Sequence, residues 1–455
     1  MCCRHLRTVL RPALGVLFAA ALLCRPVTIL AVTRPSMSDA APTVTIEPIR
    51  IIPTPKAIAS ARSYQRYEGP LSDLEVRLFD DAADSQWEQH TLLEAALIAG
   101  GVGDAKQLAE SEERFERLAE KAAASIEKEI PDDVLAKKLF AFMHREILVG
   151  GYELECTDLA ATLEHGRFNC VSSTVLFNCL AGRFGLDPVG IELPGHAMSR
   201  LHLSGKDVEV ETTCPSWFRL QHDPQRRAAL IAKTIGADVN APGARPPREV
   251  SSVELVAMIY YNRGVDLLTV HRFAEAAAAN AKALRLDPSS DTARGNLLAT
   301  LNNWAITVGA GQQYERAIDL LQQGISLDPN YETFAANYVH LYYRWAETLC
   351  TQQDYQAALN VLGQANAPLL GSDRLAQLRQ GVYRRWAREM MQQGKSRQAL
   401  QLLQTADSEG HRMAGVTRHS EAETLADGPA VLGGEAPVLR RGVDRLPESR
   451  VLNEH

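Results

Sequence analysis

Apolar residues first settle into a helical period near Thr91, where Leu92, Leu93, Ala96 and Leu97 form a stripe that Gly100 and Gly101 end. Asp104 to Lys128 reads as a long, charged, amphipathic helix. Pro131, Asp132 and Asp133 open another, with Leu135, Leu139, Phe142 and Ile147 at helical spacing and Gly150-Gly151 as its stop. Thr157 to His165 is predicted as a shorter helix. Asn169-Cys170-Val171-Ser172-Ser173 then leads into an apolar helix through Val175, Leu176, Cys179, Leu180 and Phe184. Gly185 suits a left-handed terminator, and Asp187-Pro188 forbids continuation. Next come three predicted strands: Val189 to Leu193, His196 to Leu203, and Val208 to Thr213. Pro194-Gly195 turns the chain between the first two, and Ser204-Gly205-Lys206-Asp207 is a hairpin turn between the last two.

From about residue 251 to 406 the helical pattern repeats itself. Ala276, Ala317, Ala358 and Ala399 recur every 41 residues, the first three preceded by Phe273, Tyr314 and Tyr355. Trp304-Ala305, Trp345-Ala346 and Trp386-Ala387 keep the same interval, and Asp287-Pro288 and Asp328-Pro329 close the first two units. This small–aromatic–Ala–Pro order resembles tetratricopeptide repeats, whose unit is about 34 residues. The excess of about 7 is nearly two helical turns, so the inner face is kept. The resemblance implies an all-α solenoid whose concave surface holds a protein or peptide partner.

The rest of the chain frames these two regions. Arg4, Arg7 and Arg11 precede an apolar run, Ala13 to Cys24, so residues 1–32 have the layout of a signal peptide or N-terminal membrane anchor. The product is then exported or membrane-anchored; if Met37 is the true start, it is cytoplasmic. Prolines recur from Thr33 to Ser85, giving a flexible linker at 33–85. A thiol domain is expected at 86–225, a linker at 226–250, repeats at 251–406 and a disordered tail at 407–455. The formal net charge of -7 and scattered basic residues give no reason to expect nucleic-acid binding.

Candidate chemistry lies at Cys170. It stands at the start of a buried helix, where free N–H groups and the helix dipole favour a thiolate. His196 and Glu211 follow on neighbouring strands. A thiol nucleophile needs an imidazole to take and return its proton, and an acid to orient the ring and stabilise its cation. The segments His165-Gly166-Arg167-Phe168-Asn169-Cys170-Val171-Ser172, Leu193-Pro194-Gly195-His196 and Val210-Glu211-Thr212-Thr213 resemble the bacterial transglutaminase-like domain of the SirB-type family. The resemblance covers residues 90 to 220. It implies an α+β, papain-like fold, mostly helical with a small antiparallel sheet. It also implies Cys170 as nucleophile, His196 as base and Glu211 as orienting acid. The sequence departs from many such domains in having Glu211 where Asp is common, and Ala197 where a bulkier residue follows the His.

These residues imply acyl transfer at an amide, by hydrolysis or transamidation, and they demand no cofactor or metal. The alternative is an assembly protein whose two domains only bind partners. One geometric obstacle stands out. A hairpin folded symmetrically about Gly205-Lys206 puts Glu211 opposite Arg200, about 13 Å along the strand from His196. A bulge, or a turn shifted toward Leu203 and Ser204, closes the gap. Cys156, Cys179 and Cys214 read as core or loop residues, and His165 and His202 as polar residues with local partners.

Overall fold

A computed structural model describes residues 61–408 apart from 128, 221–222, 236–245 and 366–370. The described residues all belong to one compact unit. The expected signal or anchor at 1–32, and the tail beyond residue 408, lie outside the described residues. Among the described residues no helix is long and apolar enough to cross a membrane.

The described chain is mostly helical, with a small antiparallel sheet in its first half and a helical stack in its second. It opens with α1 (Ala61–Gln65), α2 (Asp73–Asp81), α3 (Leu92–Gly100), α4 (Ala105–Ser125) and α5 (Asp132–Phe142), the last running into a π-helical turn, Met143–Ile147. Two very short strands, β1 (Gly151–Tyr152) and β2 (Arg167–Phe168), pair in parallel around α6 (Leu159–His165). Then comes α7 (Cys170–Arg183), which is buried around almost its whole circumference and so forms the axis of this half. Against it lies the sheet of β3 (Asp187–Leu193), β4 (His196–Leu203), β5 (Lys206–Val210) and β6 (Arg248–Val250), in the order β5-β4-β3-β6.

Two expected linkers are corrected. The second half of the tether at 33–85 folds: Ser72 caps α2 in a capping box with Glu75, a Ser-x-x-Glu signal that the neighbouring prolines overshadowed. These helices pack on the repeat half. Lys282 pairs with Glu75 at 2.7 Å, Arg285 with Glu68 at 3.1 Å, and Phe79 stacks on Tyr260 at 5.8 Å. The segment 226–250 likewise holds most of α8 (Pro224–Ile235) and the edge strand β6. Arg227 of α8 lies over the Trp217 ring at 4.0 Å, and Arg248 of β6 pairs with Glu192 at 2.8 Å and Asp287 at 2.9 Å. Each segment carries a short amphipathic helix in a Pro- or Gly-containing setting, and the partners that order it lie far along the chain.

The helical stack runs from α9 (Ser252–Thr269) through α10 (Phe273–Leu286), α11 (Asp291–Ala310), α12 (Tyr314–Leu327), α13 (Glu332–Thr351), α14 (Tyr355–Gln364) and α15 (Ser372–Gln392) to a last helix, 396–408. Its 41-residue interval is structural. Phe273 stacks on Trp304, Tyr314 on Trp345 and Tyr355 on Trp386, with ring centroids 6.3, 5.9 and 5.7 Å apart and planes within 16° of parallel. Each pair joins the second helix of one unit to the first helix of the next. The tight turn inside each unit puts a residue in the left-handed region: His271, Gln312, Gln353 and Gly394, with φ of 60°, 61°, 64° and 76°.

Candidate active site

The first turn of α7 is built by its cap. The Asn169 side-chain oxygen accepts from the N–H groups of Val171 and Ser172, at 2.9 and 3.0 Å, while its amide donates to Leu154 O and Thr157 Oγ1. Ser172 Oγ donates to Cys156 O at 2.8 Å. The loop from Leu154 to Thr157 is thus tied to the helix start. The cap takes up two N–H groups there, and in an α-helix the first residue has no intrahelical acceptor. Of the N–H groups in that first turn, the N–H of Cys170 is one that the Asn169 side chain does not take up.

The sheet brings the other two residues to that point. The β4–β5 turn falls at Ser204-Gly205, with Leu203 opposite Lys206 and Gly205 at φ 85°. It therefore sits one residue earlier than the symmetric hairpin about Gly205-Lys206, which corrects that expectation. Ser199 faces Val210, so continuing the register puts Glu211 beside Met198 and on the same face as His196. One diagonal step remains. His196 Nε2 donates to Glu211 Oε2 at 2.6 Å, and Thr213 donates to Glu211 Oε1 from both its N–H (3.0 Å) and its hydroxyl (2.6 Å). Nδ1 is then the ring nitrogen open to the thiol.

Electrostatics link the three. Burial works against an imidazolium, but hydrogen bonding to Cys170 and to Glu211, and the charge of Glu211, raise the His196 pKa above its ordinary value. Burial likewise works against the carboxylate of Glu211, and its bonds from His196 and Thr213 outweigh this and lower its pKa. Cys170, His196 and Glu211 are 6 %, 4 % and 0 % exposed.

Three hydroxyls lock the acid's segment to the helix that carries the thiol. Thr212 Oγ1 lies 2.9 Å from both Ser173 Oγ and Thr174 Oγ1. His144, in the π-helical turn, hydrogen-bonds to the backbone of Thr212, and burial pushes its pKa down to about 4. Its Nε2 is buried with no partner, between the rings of Phe140 and Phe168.

Several neighbours were not anticipated from sequence. Tyr152, 49 % exposed, lies close enough to Cys170 for the thiol to help raise the pKa of its phenol. Tyr261 belongs to α9 yet lies near the thiol; its hydroxyl is 3.5 Å from Glu192 Oε1, and burial with the nearby Glu192 and Cys170 raises its pKa. Asp266, also on α9, is held up to about 6 by burial and by Glu155. The first helix of the stack therefore brings Tyr261 into the surroundings of Cys170. A cavity of about 490 Å³ between α5, the β4–β5 hairpin, Phe218 and Arg227 includes none of these residues. Cys156, Cys179 and Cys350 have pKa values raised by burial to about 11, 12 and 11. His202 pairs with Asp207 at 2.9 Å.

No family model matches the chain, and no curated protein or solved structure matches it either.

Proposed function

We propose that the chain is a thiol acyl-transfer protein. It would carry a transglutaminase-like, papain-like site in residues 86–225 and tetratricopeptide-like repeats that hold a protein or peptide partner. The observation that carries this reading is the position of His196, fixed between the Cys170 sulfur and the Glu211 carboxylate with Nε2 2.6 Å from Oε2. His196 takes the thiol proton through Nδ1, and the sulfur attacks an amide carbonyl. The carbonyl π electrons move to oxygen, which the Cys170 N–H stabilises. The intermediate collapses, His196 protonates the leaving amine, and a thioester remains. Water or a second amine, deprotonated by His196, attacks the thioester and releases the thiol. Glu211 keeps the imidazole oriented throughout and stabilises its cation.

The test is competition among thiols in the folded protein. A thiol-directed amide-mimic probe should label Cys170 much faster than Cys350, and His196→Ala should remove the difference. Equal labelling of the two thiols, unaffected by His196→Ala, would sink the reading. One observation favours the second reading, a non-catalytic assembly protein: Cys170 is only 6 % exposed. On that reading Cys170→Ser leaves capture of the cellular partner unchanged.

A further inference from the structure

The strand pair β1–β2 has no task in the chemistry above, yet it is built to bring one side chain to the thiol. Gly150 and Gly166 permit the approach. A Cβ on Gly150 would meet His165 O at 2.4 Å, and one on Gly166 would meet Ile147 O at 2.4 Å, so neither position accepts a larger residue in place. Gly150 N donates to Gly166 O at 2.9 Å, and Glu153 N to Phe168 O at 2.8 Å. Between these bonds Tyr152 is in register with Phe168, two residues before Cys170. The two rings meet edge to face at 5.9 Å. The ladder thereby brings the Tyr152 phenol into the neighbourhood of the Cys170 thiol.

Resting on the acyl-transfer reading, we propose that Tyr152 is a catalytic residue, donating its phenolic O–H to the oxyanion alongside the N–H of Cys170. Acylation needs a donor beside the sulfur, because the carbonyl carbon bonds to the sulfur and the negative oxygen develops one bond further out. The asparagine side chain leaves the N–H of Cys170 there, and Tyr152 supplies a further donor. The phenol carries its proton at neutral pH, as an ordinary tyrosine does, and burial with Cys170 and Glu211 keeps it from ionising. As the tetrahedral intermediate forms, the oxyanion becomes the acceptor of that proton.

Two reactions of the same thiol separate this role from a simple cover. With p-nitrophenyl acetate the sulfur attacks the ester carbonyl, an oxyanion forms, and collapse gives an acetyl thioester and p-nitrophenolate. With iodoacetamide the sulfur displaces iodide from carbon, and no oxyanion forms. Tyr152→Phe keeps the ring packed on Phe168 and removes only the hydroxyl. In the full-length protein it should slow Cys170 acetylation at least tenfold and leave alkylation within about twofold. Retained near-ultraviolet circular dichroism would confirm that the variant is folded. If both reactions accelerate, Tyr152 shields the thiol, and if acetylation is unchanged it is a bystander; either result overturns the proposal. Cys170 reacting no faster than Cys350 in the unmodified protein would instead remove the acyl-transfer reading on which it rests.

Discussion

Glu211 meets His196 along a diagonal of the sheet, not across a rung, with Nε2 and Oε2 2.6 Å apart and both side chains almost wholly buried. A buried ionic pair of this kind is costly to break from one side, because the remaining group keeps its desolvation and loses its partner. Glu211→Ala should therefore destabilise the protein by about 3–5 kcal/mol. Urea unfolding measures this, and a loss below about 1 kcal/mol would mean the pair does not hold the strand end in place.

Thr212 should act as a positioning residue. Thr212→Val keeps the shape but removes the hydroxyl shared by Ser173 and Thr174. The expected cost is about 1–3 kcal/mol, since two buried hydroxyls lose a partner. The variant should also slow Cys170 labelling while leaving Cys350 labelling unchanged. Unchanged Cys170 labelling in a destabilised protein would reduce Thr212 to a structural role.

His144 makes stability depend on pH on the acid side. Its pKa falls from 6.5 in the unfolded chain to about 4 in the fold. Between those values the unfolded chain holds a proton that the native state does not, so stability drops as pH falls from about 6.5 to about 4. Glu211, whose pKa is depressed, adds a further loss below the ordinary carboxylate range. His144→Phe should flatten the melting-temperature profile between pH 6.5 and 4 and keep the steeper fall beneath it. An identical profile for both proteins would refute the assignment.

Gln312 and Gln353 occupy left-handed turns where the fourth unit has Gly394. A side chain there costs about 1–2 kcal/mol, partly offset by the larger entropy that glycine loses on folding. Gln312→Gly should raise stability, by up to about 1 kcal/mol. Thermal unfolding of the single and double glycine variants reads this directly; destabilisation would show that the glutamines make contacts worth more than the strain.

Arg248 joins the sheet to the stack, touching Glu192 of β3, Glu254 of α9 and Asp287 after α10. Glu192 is also the carboxylate beside Tyr261. Arg248→Ala should expose the junction between the halves to proteolysis, well before global unfolding. Resistance equal to that of the unchanged protein would show that the aromatic packing of Tyr260 on Phe79 is sufficient alone.

Along the chain itself, the sequence determined every element whose physics is local. The α7 start at Asn169-Cys170, the turn at Pro194-Gly195 and the 41-residue interval of the stack follow from caps, turn residues and periodicity, each acting within a few residues or recurring regularly. It also marked Cys170, His196 and Glu211, because the types and order of those side chains are visible in one dimension. Only the tertiary structure decided whether they meet. A one-residue shift of the turn to Ser204-Gly205 moves Glu211 two positions along β4, and both registers keep the same alternation of faces, so pattern alone does not distinguish them. The same holds for Tyr152 and Tyr261, placed by a two-residue ladder and by a helix from the stack, and for α1 and β6. Their order comes from partners distant in the chain, and no local pattern records a distant contact.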